Sequence, residues 1–351
     1  MQTSKLDLYL TPKDLSELFG ITVQGVHKFL KDNKFPTEIT NSRHKIYPDV
    51  MRRILEFKQF PIPRLTIVIH IVKGGTGKTT LTHALASRAS ALGLRVLVID
   101  GDQQANLSKS FGVYSRPRVD VTLLEVYNGR LNDRKVTIED AVVKLTDFLH
   151  IIPANLGLAN LDLSIIQGTE NIGNFFNEML APIRNQYDLV FFDCPPSISR
   201  VTSAACCFAD HVILPINADP YSIEGLQLSI EHLLAIHGKF NKSAQLSIVM
   251  NKFDARQKLA FSLLNQLMHS DFKEYLCDTY ISTSKEFDNA IADGKCLWNS
   301  KAGKNPALED VNSLLVEVLD LKQWAFKEKP EAEKTTVSIL NEITQLSSSL
   351  L

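Results

Sequence analysis

The run Lys73-Gly74-Gly75-Thr76-Gly77-Lys78-Thr79-Thr80 follows the apolar stretch Leu65 to Val72 and opens a helical pattern from Leu81 to Leu92. A strand, a glycine-rich turn and a helix in this order commit a chain to an α/β architecture with a phosphate loop at the strand's end. The glycines admit the turn and leave backbone N–H groups free to face phosphate oxygens. The helix adds the positive end of its dipole. Gly74, Gly75, Thr76, Gly77, Lys78, Thr79 and Thr80 are therefore the expected nucleotide-binding residues. Lys78 is expected to reach the β and γ phosphates, and the Thr79 hydroxyl to complete the shell of a Mg2+ ion.

A chain of 351 residues accommodates a large α/β core and a small second unit. With 44% apolar and 22% charged residues it reads as globular, and no apolar run approaches the ~20 residues that span a bilayer. Met1 to Leu10 lacks an apolar core followed by a small-residue cleavage site, which argues against secretion. Cys194, Cys206, Cys207, Cys277 and Cys296 form no CxxC pair and are odd in number. Reduced thiols in a cytoplasmic protein, mostly buried as small hydrophobes, are the expectation.

Three parts separate along the chain. Residues 1–60 form a mildly basic helical unit, and Pro61-Ile62-Pro63 a stiff joint, because proline fixes its own backbone and disfavours helix before it. Residues 64–324 alternate short β-branched runs with longer helical periods, as in a mainly parallel sheet covered on both faces. Strands are expected at Thr66–Ile71, Val96–Ile99, Leu149–Ile152, Leu189–Phe192, His211–Pro215 and Leu246–Met250. Helices are expected near Thr80–Leu92, Ile172–Ile183, Ile223–His237 and Lys258–Met268. Residues 325–351 form a tail in which Val337, Leu340, Ile343, Leu346 and Leu350 recur every three or four positions, the pattern of a short amphipathic helix. Packing back onto the body is the expectation for it, with contact to a partner as the alternative.

In the amino-terminal unit, Thr11-Pro12 looks like a cap followed by proline at the first helical position, with Asp14 in the first turn. Gly20 ends that helix, and Thr22 starts a second one carrying Val26, Phe29 and Leu30. Two short helices joined by a glycine-containing turn suggest helix-turn-helix. The outer side of the second helix offers Gln24, His27 and Lys28 to a DNA groove, and Arg43 and Lys45 lie in a hairpin or wing before Ile46-Tyr47. Between Met1 and Arg64 there are eleven Lys/Arg against seven Asp/Glu, which favours DNA over the bland alternative of a protein-binding helical module.

The strand at Val96 ends in Asp100-Gly101-Asp102-Gln103-Gln104, and the strand at Leu189 ends in Asp193-Cys194-Pro195-Pro196. Carboxylates at the carboxyl ends of parallel strands lie where ligands bind in open α/β sheets. One of Asp100 and Asp102 is expected to steady Mg2+ or its waters and the other to align an attacking water, while Asp193 holds Mg2+ through water. Phosphoryl transfer of this kind depends on positioning and charge, and a cation on the developing charge is worth ~4–7 kcal/mol. Lys73 is the local candidate for that cation.

Together these motifs resemble the ParA/MinD family of deviant Walker ATPases, and within it the ParA-type partition ATPases. The matching residues are Lys73 to Thr80, Ile99 to Ser108 and Phe192 to Pro196, with weaker matches through Pro215-Ile216-Asn217-Ala218-Asp219-Pro220 and at Asn251-Lys252. The amino-terminal unit followed by Arg43 to Tyr47 resembles the larger subclass that regulates its own operon. The resemblance implies that Lys73 reaches across an ATP-sandwich homodimer to the partner's phosphates and that Lys78 and Thr79 serve the nucleotide of their own subunit. Asp102 would orient the hydrolytic water, Asp100 and Asp193 support Mg2+, and Asn251 lie beside the adenine. It further implies ATP-dependent, non-specific binding to nucleoid DNA, binding to the protein's own operator, and stimulation by a ParB-type partner. Arg256, Lys258, Lys295, Lys301 and Lys304 are the candidates for non-specific DNA contact.

The chain departs from the family pattern in two places. Asp102-Gln103-Gln104 lacks the proline that commonly follows the aspartate, and His70 stands where asparagine is frequent. The alternative reading is an ATP-binding transcriptional regulator without a partition role. A membrane-bound relative of the MinD kind is disfavoured because Val337 to Leu351 carries only Glu342 as a charged residue. A metal-cluster carrier is disfavoured by the lack of paired cysteines.

Overall fold

The computed structural model describes residues 6–40, 43–113, 121–131, 136–167, 171–292, 296–297 and 306–326. The chain begins with α1 (Pro12–Phe19), α2 (Val23–Asp32), the hairpin β1 (Glu38–Thr40) and β2 (Arg43–Lys45), and α3 (Pro48–Phe57). There follow β3 (Leu65–Ile69), α4 (Lys78–Ala91), β4 (Val96–Asp100), α5 (Asn106–Ser110), α6 (Leu123–Leu131), β5 (Val143–Lys144) and β6 (Leu149–Ile152). The second half contains α7 (Leu158–Gln167), α8 (Phe175–Arg184), β7 (Leu189–Asp193), α9 (Arg200–Phe208), β8 (His211–Ile216) and α10 (Ser222–Phe240). It ends with β9 (Gln245–Met250), α11 (Lys258–Met268), α12 (Lys285–Ala292) and α13 (Pro306–Val318).

The sheet order is β5-β6-β4-β7-β3-β8-β9, parallel throughout except for the two-residue edge strand β5. Its strands are apolar on both faces. In β3, Ile67 and Ile69 enter one layer and Val68 the other; in β7, Leu189 and Phe191 oppose Val190 and Phe192. Such strands must be covered twice, which is why a parallel sheet reads as an apolar run. The layer behind Val68 is filled from α6 to α11. The opposite layer holds α4 and α13, and also Leu15, Phe19, Val26, Met51 and Ile54 of the amino-terminal unit. All six expected strands and all four expected helices of the sheet domain are present, and the sequence reading passed over α3, α5, β5, α6, α7, α9, α12 and α13.

The amino-terminal helices form for the local reasons read from the sequence. Thr11 and Asp14 make a reciprocal capping box, with the Thr11 backbone N–H donating to Asp14 Oδ2 at 2.6 Å. Thr22 caps α2 by accepting from the Gly25 N–H at 3.0 Å. The unit is bolted to the sheet domain. Arg88 of α4, buried, donates to Asp14 Oδ1 at 2.6 Å, and Arg52 of α3 donates to the buried Asp188 at 2.7 Å. The joint at Pro61 is held as well, its carbonyl accepting from the indole N–H of the buried Trp324 at 2.9 Å. The second half of α4 is rich in small residues, and Ala84, Ala86, Ser87, Ala89, Ser90 and Ala91 are all buried. The helix therefore has no polar face, and two layers close on it. The tail helix expected from Val337 to Leu350 lies outside the described residues.

Asp14 serves both the α1 cap and a buried ion pair, so Asp14→Ala removes two functions at once. The expected loss in urea denaturation is on the order of 3–5 kcal/mol, and Asp14→Asn, which keeps a capping oxygen, costs less.

Candidate functional site

The phosphate loop joins β3 to α4 at the carboxyl edge of the sheet, between neighbours β7 and β8. Gly77 caps α4 with φ of 87°, a left-handed conformation natural to glycine. A Cβ there would also collide with the Asn251 amide, which leans across from the end of β9 to donate to Thr76 O at 2.7 Å. Asn217 and Lys252 both donate to Gly75 O, at 3.0 and 2.9 Å. The loop is thus carried by the ends of three strands. Above Gly74 and Gly75 a side chain would meet nothing within 4 Å, and the Thr76 hydroxyl is buried without a hydrogen-bond partner. This open cradle of backbone amides fits a polyphosphate.

Lys78 is buried, and burial holds its ammonium pKa below the usual value, partly offset by Asp193. Its Nζ donates to the loop's own Lys73 O at 2.7 Å and to Ile71 O at 3.3 Å. Thr79 Oγ1 donates to Asp193 Oδ2 at 2.7 Å, and Thr82 Oγ1 reaches Asp193 Oδ1 at 3.3 Å. Asp100 and Asp193 occupy paired positions on β4 and β7, so the ladder sets both carboxylates at one level. The approach requires Gly101, where a Cβ would lie 2.5 Å from the Phe192 ring and 2.9 Å from Asp193 O. Burial together with Asp100 pushes the Asp193 carboxyl up to about 8, and burial pushes Asp100 to about 6 against its hydrogen bonds. Two buried acids and a threonine hydroxyl beside a phosphate cradle fit a divalent cation, which takes oxygen ligands and restores their ionised forms.

The carboxylates differ in freedom. Asp100 Oδ2 accepts from the Ser108 N–H at 2.8 Å and hydroxyl at 2.7 Å, while Oδ1 accepts from the Asp102 N–H at 3.2 Å. Asp102 is half-exposed and accepts from the Gln104 N–H at 2.9 Å, so the turn that lacks proline is closed by Asp102 itself. Lys73 stands at the rim, paired with Asp219, 3.5 Å from Ser222 Oγ and over the Tyr221 ring. Against a cost of burial, Lys73 and Ser222 hold the Asp219 carboxyl below its ordinary range.

Asn217, Asp219 and Ser108 were not among the site residues expected from the sequence. Asn217 and Asp219 had a signal, as polar residues directly after an apolar strand. Ser108 had none, because eight residues separate it from Asp100 and only the turn at 101–107 brings them together. His70, next to the loop, is buried with both ring nitrogens unpartnered, and burial lowers it to about 3, so the ring is neutral.

In the amino-terminal unit Gln24, His27 and Lys28 share the exposed side of α2. Lys45 is occupied, pairing with Asp7 at 2.6 Å and covering the Tyr9 ring at 4.4 Å. Arg43 pairs with Thr40 across the hairpin, and its side chain lies outside the description, as do Lys295, Lys301 and Lys304. Arg256 is paired with Asp254 at 2.9 Å, and Lys258 is exposed. The five cysteines are unbridged and four are buried. Among the described residues no helix is long and apolar enough to cross a membrane.

A family model described as an AAA domain (AAA_31) matches residues 64–247. The cell division protein PomZ of Myxococcus xanthus is 31% identical over 248 residues, covering 70% of this chain and 75% of PomZ. The chromosome partitioning protein ParA of Caulobacter vibrioides is 29% identical over 238 residues, 66% of this chain and 86% of that protein. A solved structure of an McdA variant from Cyanothece in complex with ATP has a TM-score of 0.65 at 21% identity, over 77% of this chain and 100% of that one, a likeness of fold.

The raised carboxyl of Asp193 carries a pH consequence. A group whose folded pKa lies above its unfolded value stabilises below the unfolded value and loses that stability as pH rises towards the folded one. Without metal and nucleotide, melting temperature should fall between pH 4 and about 8. Asp193→Asn should raise stability at pH 8 by an amount on the order of 1–3 kcal/mol while abolishing nucleotide turnover, read by calorimetry and phosphate release.

Proposed function

The chain belongs to the ParA-type partition ATPases of the P-loop class, and from that membership we propose that it is an ATP-switched DNA partition factor. In this reading it hydrolyses ATP with Mg2+, dimerises on ATP, binds DNA and answers to a ParB-type partner. The observation that carries the reading is the convergence of Lys78, Thr79 and Asp193 beneath an open glycine cradle, with Asp102 beside them and Lys73 at the rim.

Each residue has a role its surroundings suit. The loop amides and Lys78 bind the phosphates, Lys78 exchanging its two carbonyl partners for phosphate oxygens. Thr79 and Asp193 hold Mg2+, with Asp100 fixed behind by Ser108; the ion supplies positive charge to the triphosphate. Asp102, the carboxylate left half-exposed, orients the attacking water. Asn251 serves the base side of the site. Lys73, held on its own chain by Asp219, is released to meet the phosphates of a second subunit. Gln24, His27 and Lys28 read operator DNA from α2, with the hairpin of Arg43 beside it; Arg256 and Lys258 add sequence-independent contact in the nucleoid.

Sedimentation with ATP and Mg2+ tests the switch when hydrolysis is blocked by Asp102→Ala, a change that should lower turnover ~10²–10⁴-fold. Dimers are expected, and a protein that stays monomeric overturns the coupling. Asp219→Ala, which frees Lys73 of each subunit from a half-exposed pair worth ~0.5–1 kcal/mol, should tighten the ATP dimer about 5–30-fold, whereas Lys73→Ala should abolish it. For DNA, Lys28→Ala in the full-length protein should weaken binding to the upstream sequence and reduce the salt slope by about one.

A further inference from the structure

The outer side of α3 ends in an apolar face. Phe57 is 57% exposed and touches Phe35 and Phe29, with ring centres at 5.7 and 6.4 Å. Two cations border the group. Arg53 lies over Phe35 at 5.8 Å, and Lys58 over Phe29 at 5.6 Å and Phe326 at 4.1 Å. Neither has a carboxylate partner among the described residues, and the exposed Lys34 stands nearby in sequence, one residue before Phe35. A lone exposed phenylalanine needs no explanation. A phenylalanine trio edged by unpaired cations is instead the shape of a seat for an apolar and acidic segment.

The chain itself supplies such a segment at this place. Phe326, the last residue described, belongs to the same aromatic group. It stacks on Phe19 at 4.6 Å, meets Phe29 edge-on at 5.1 Å, and its N–H donates to Phe19 O at 2.8 Å. Residues 327–351 therefore leave from the border of the face. They carry Val337, Leu340, Ile343, Leu346 and Leu350 at helical spacing, with four glutamates (Glu328, Glu331, Glu333 and Glu342) against three lysines (Lys327, Lys329 and Lys334), and within 337–350 the single charge is Glu342. The eleven steps from Phe326 to Val337 reach at most about 40 Å, and a helix over 337–350 is about 21 Å long. A helix this short is marginal in water without a surface to lie on. Exposed apolar residues on α7 (Leu163 and Ile166) and on α10 (Leu228 and Leu234) belong to helices of the opposite layer of the sheet.

We propose that residues 337–350 seat their apolar stripe on the Phe29–Phe35–Phe57 face of the same chain, with Glu342 turned to the cations Arg53 and Lys58 at its border. The seated tail braces the carboxyl end of α2, the helix whose exposed side carries Gln24, His27 and Lys28.

Hydrogen exchange on the full-length protein tests this directly. Amides of 337–350 should exchange at least ~10-fold more slowly than an unstructured chain, and Phe57→Glu should return them to unstructured rates while ATP turnover, far from the face, stays unchanged. Leu340→Glu with Ile343→Glu should speed exchange at the end of α3 in return. Unstructured rates in the unmutated protein overturn the proposal. So does protection that survives Phe57→Glu, which seats the tail elsewhere. Protection that grows with protein concentration also overturns it, because the occupant is then the tail of a second copy.

Discussion

The hydrogen bond from Thr79 to Asp193 ties the first turn of α4 to the end of β7, and the site is organised around it. Asp193 is fixed from both sides, since β7 pairs with β3 through Ile69 and with β4 through Asp100. The ladder that fixes it also brings a second carboxylate to the same level, and both are buried. Like charges so placed cannot both ionise cheaply. The protein relieves one by surrounding Asp100 with Ser108 and a backbone N–H, and leaves the other facing the hydroxyls of Thr79 and Thr82 and an open loop. That asymmetry separates a carboxylate that supports the turn from one free to meet a cation.

The same helix joins the phosphate site to the amino-terminal unit. From Lys78 to Arg88 is about 15 Å along α4, and at its far end Arg88 holds Asp14, the residue that caps α1. Arg88 takes little from water and much from Asp14, since breaking a buried pair costs more than the pair contributes against an apolar substitute. The amino-terminal unit is therefore built into the ATPase layer, with its own apolar residues in the cluster that covers Ile67 and Ile69. A proline joint suggests two bodies with a stiff link. Trp324 and Phe326 close over that link instead, so the unit is best studied in the intact chain.

How much of this was legible depended on the range of the interaction. The strands β3, β4 and β7 are nearly continuous apolar runs, the first leading into the glycine loop and the other two ending in aspartate, and their identity follows from local pattern. The caps at Thr11 and Thr22 are also local, and the structure contains them. What escaped was set by distance. Asp219 meets Lys73 across 146 residues, and Arg88 meets Asp14 across 74. Lys45 looked like a cation offered to DNA, but Asp7, 38 residues earlier, neutralises it. One global feature was readable: a helix running Ala84-Leu85-Ala86-Ser87-Arg88-Ala89-Ser90-Ala91 has no polar side to give to water. Such a helix needs a cover on both faces, and the amino-terminal unit is the second cover.

The two lysines of the loop illustrate why five residues of spacing produce different chemistry. Lys78 lies in the first turn of α4, buried, so its charge is expensive unless oxygen atoms surround it. Two backbone carbonyls do so here, and phosphate oxygens would do so with a full opposite charge. Lys73 precedes the turn, where the chain has left the sheet and the side chain reaches the rim. Its partner is Asp219, in the turn just before α10, in a half-exposed pair whose strength water limits. A weak pair at a rim can be exchanged for a stronger anion without rebuilding the site, whereas a buried one cannot. The lysine at 78 is therefore suited to hold a ligand within its own subunit, and the lysine at 73 to change partners.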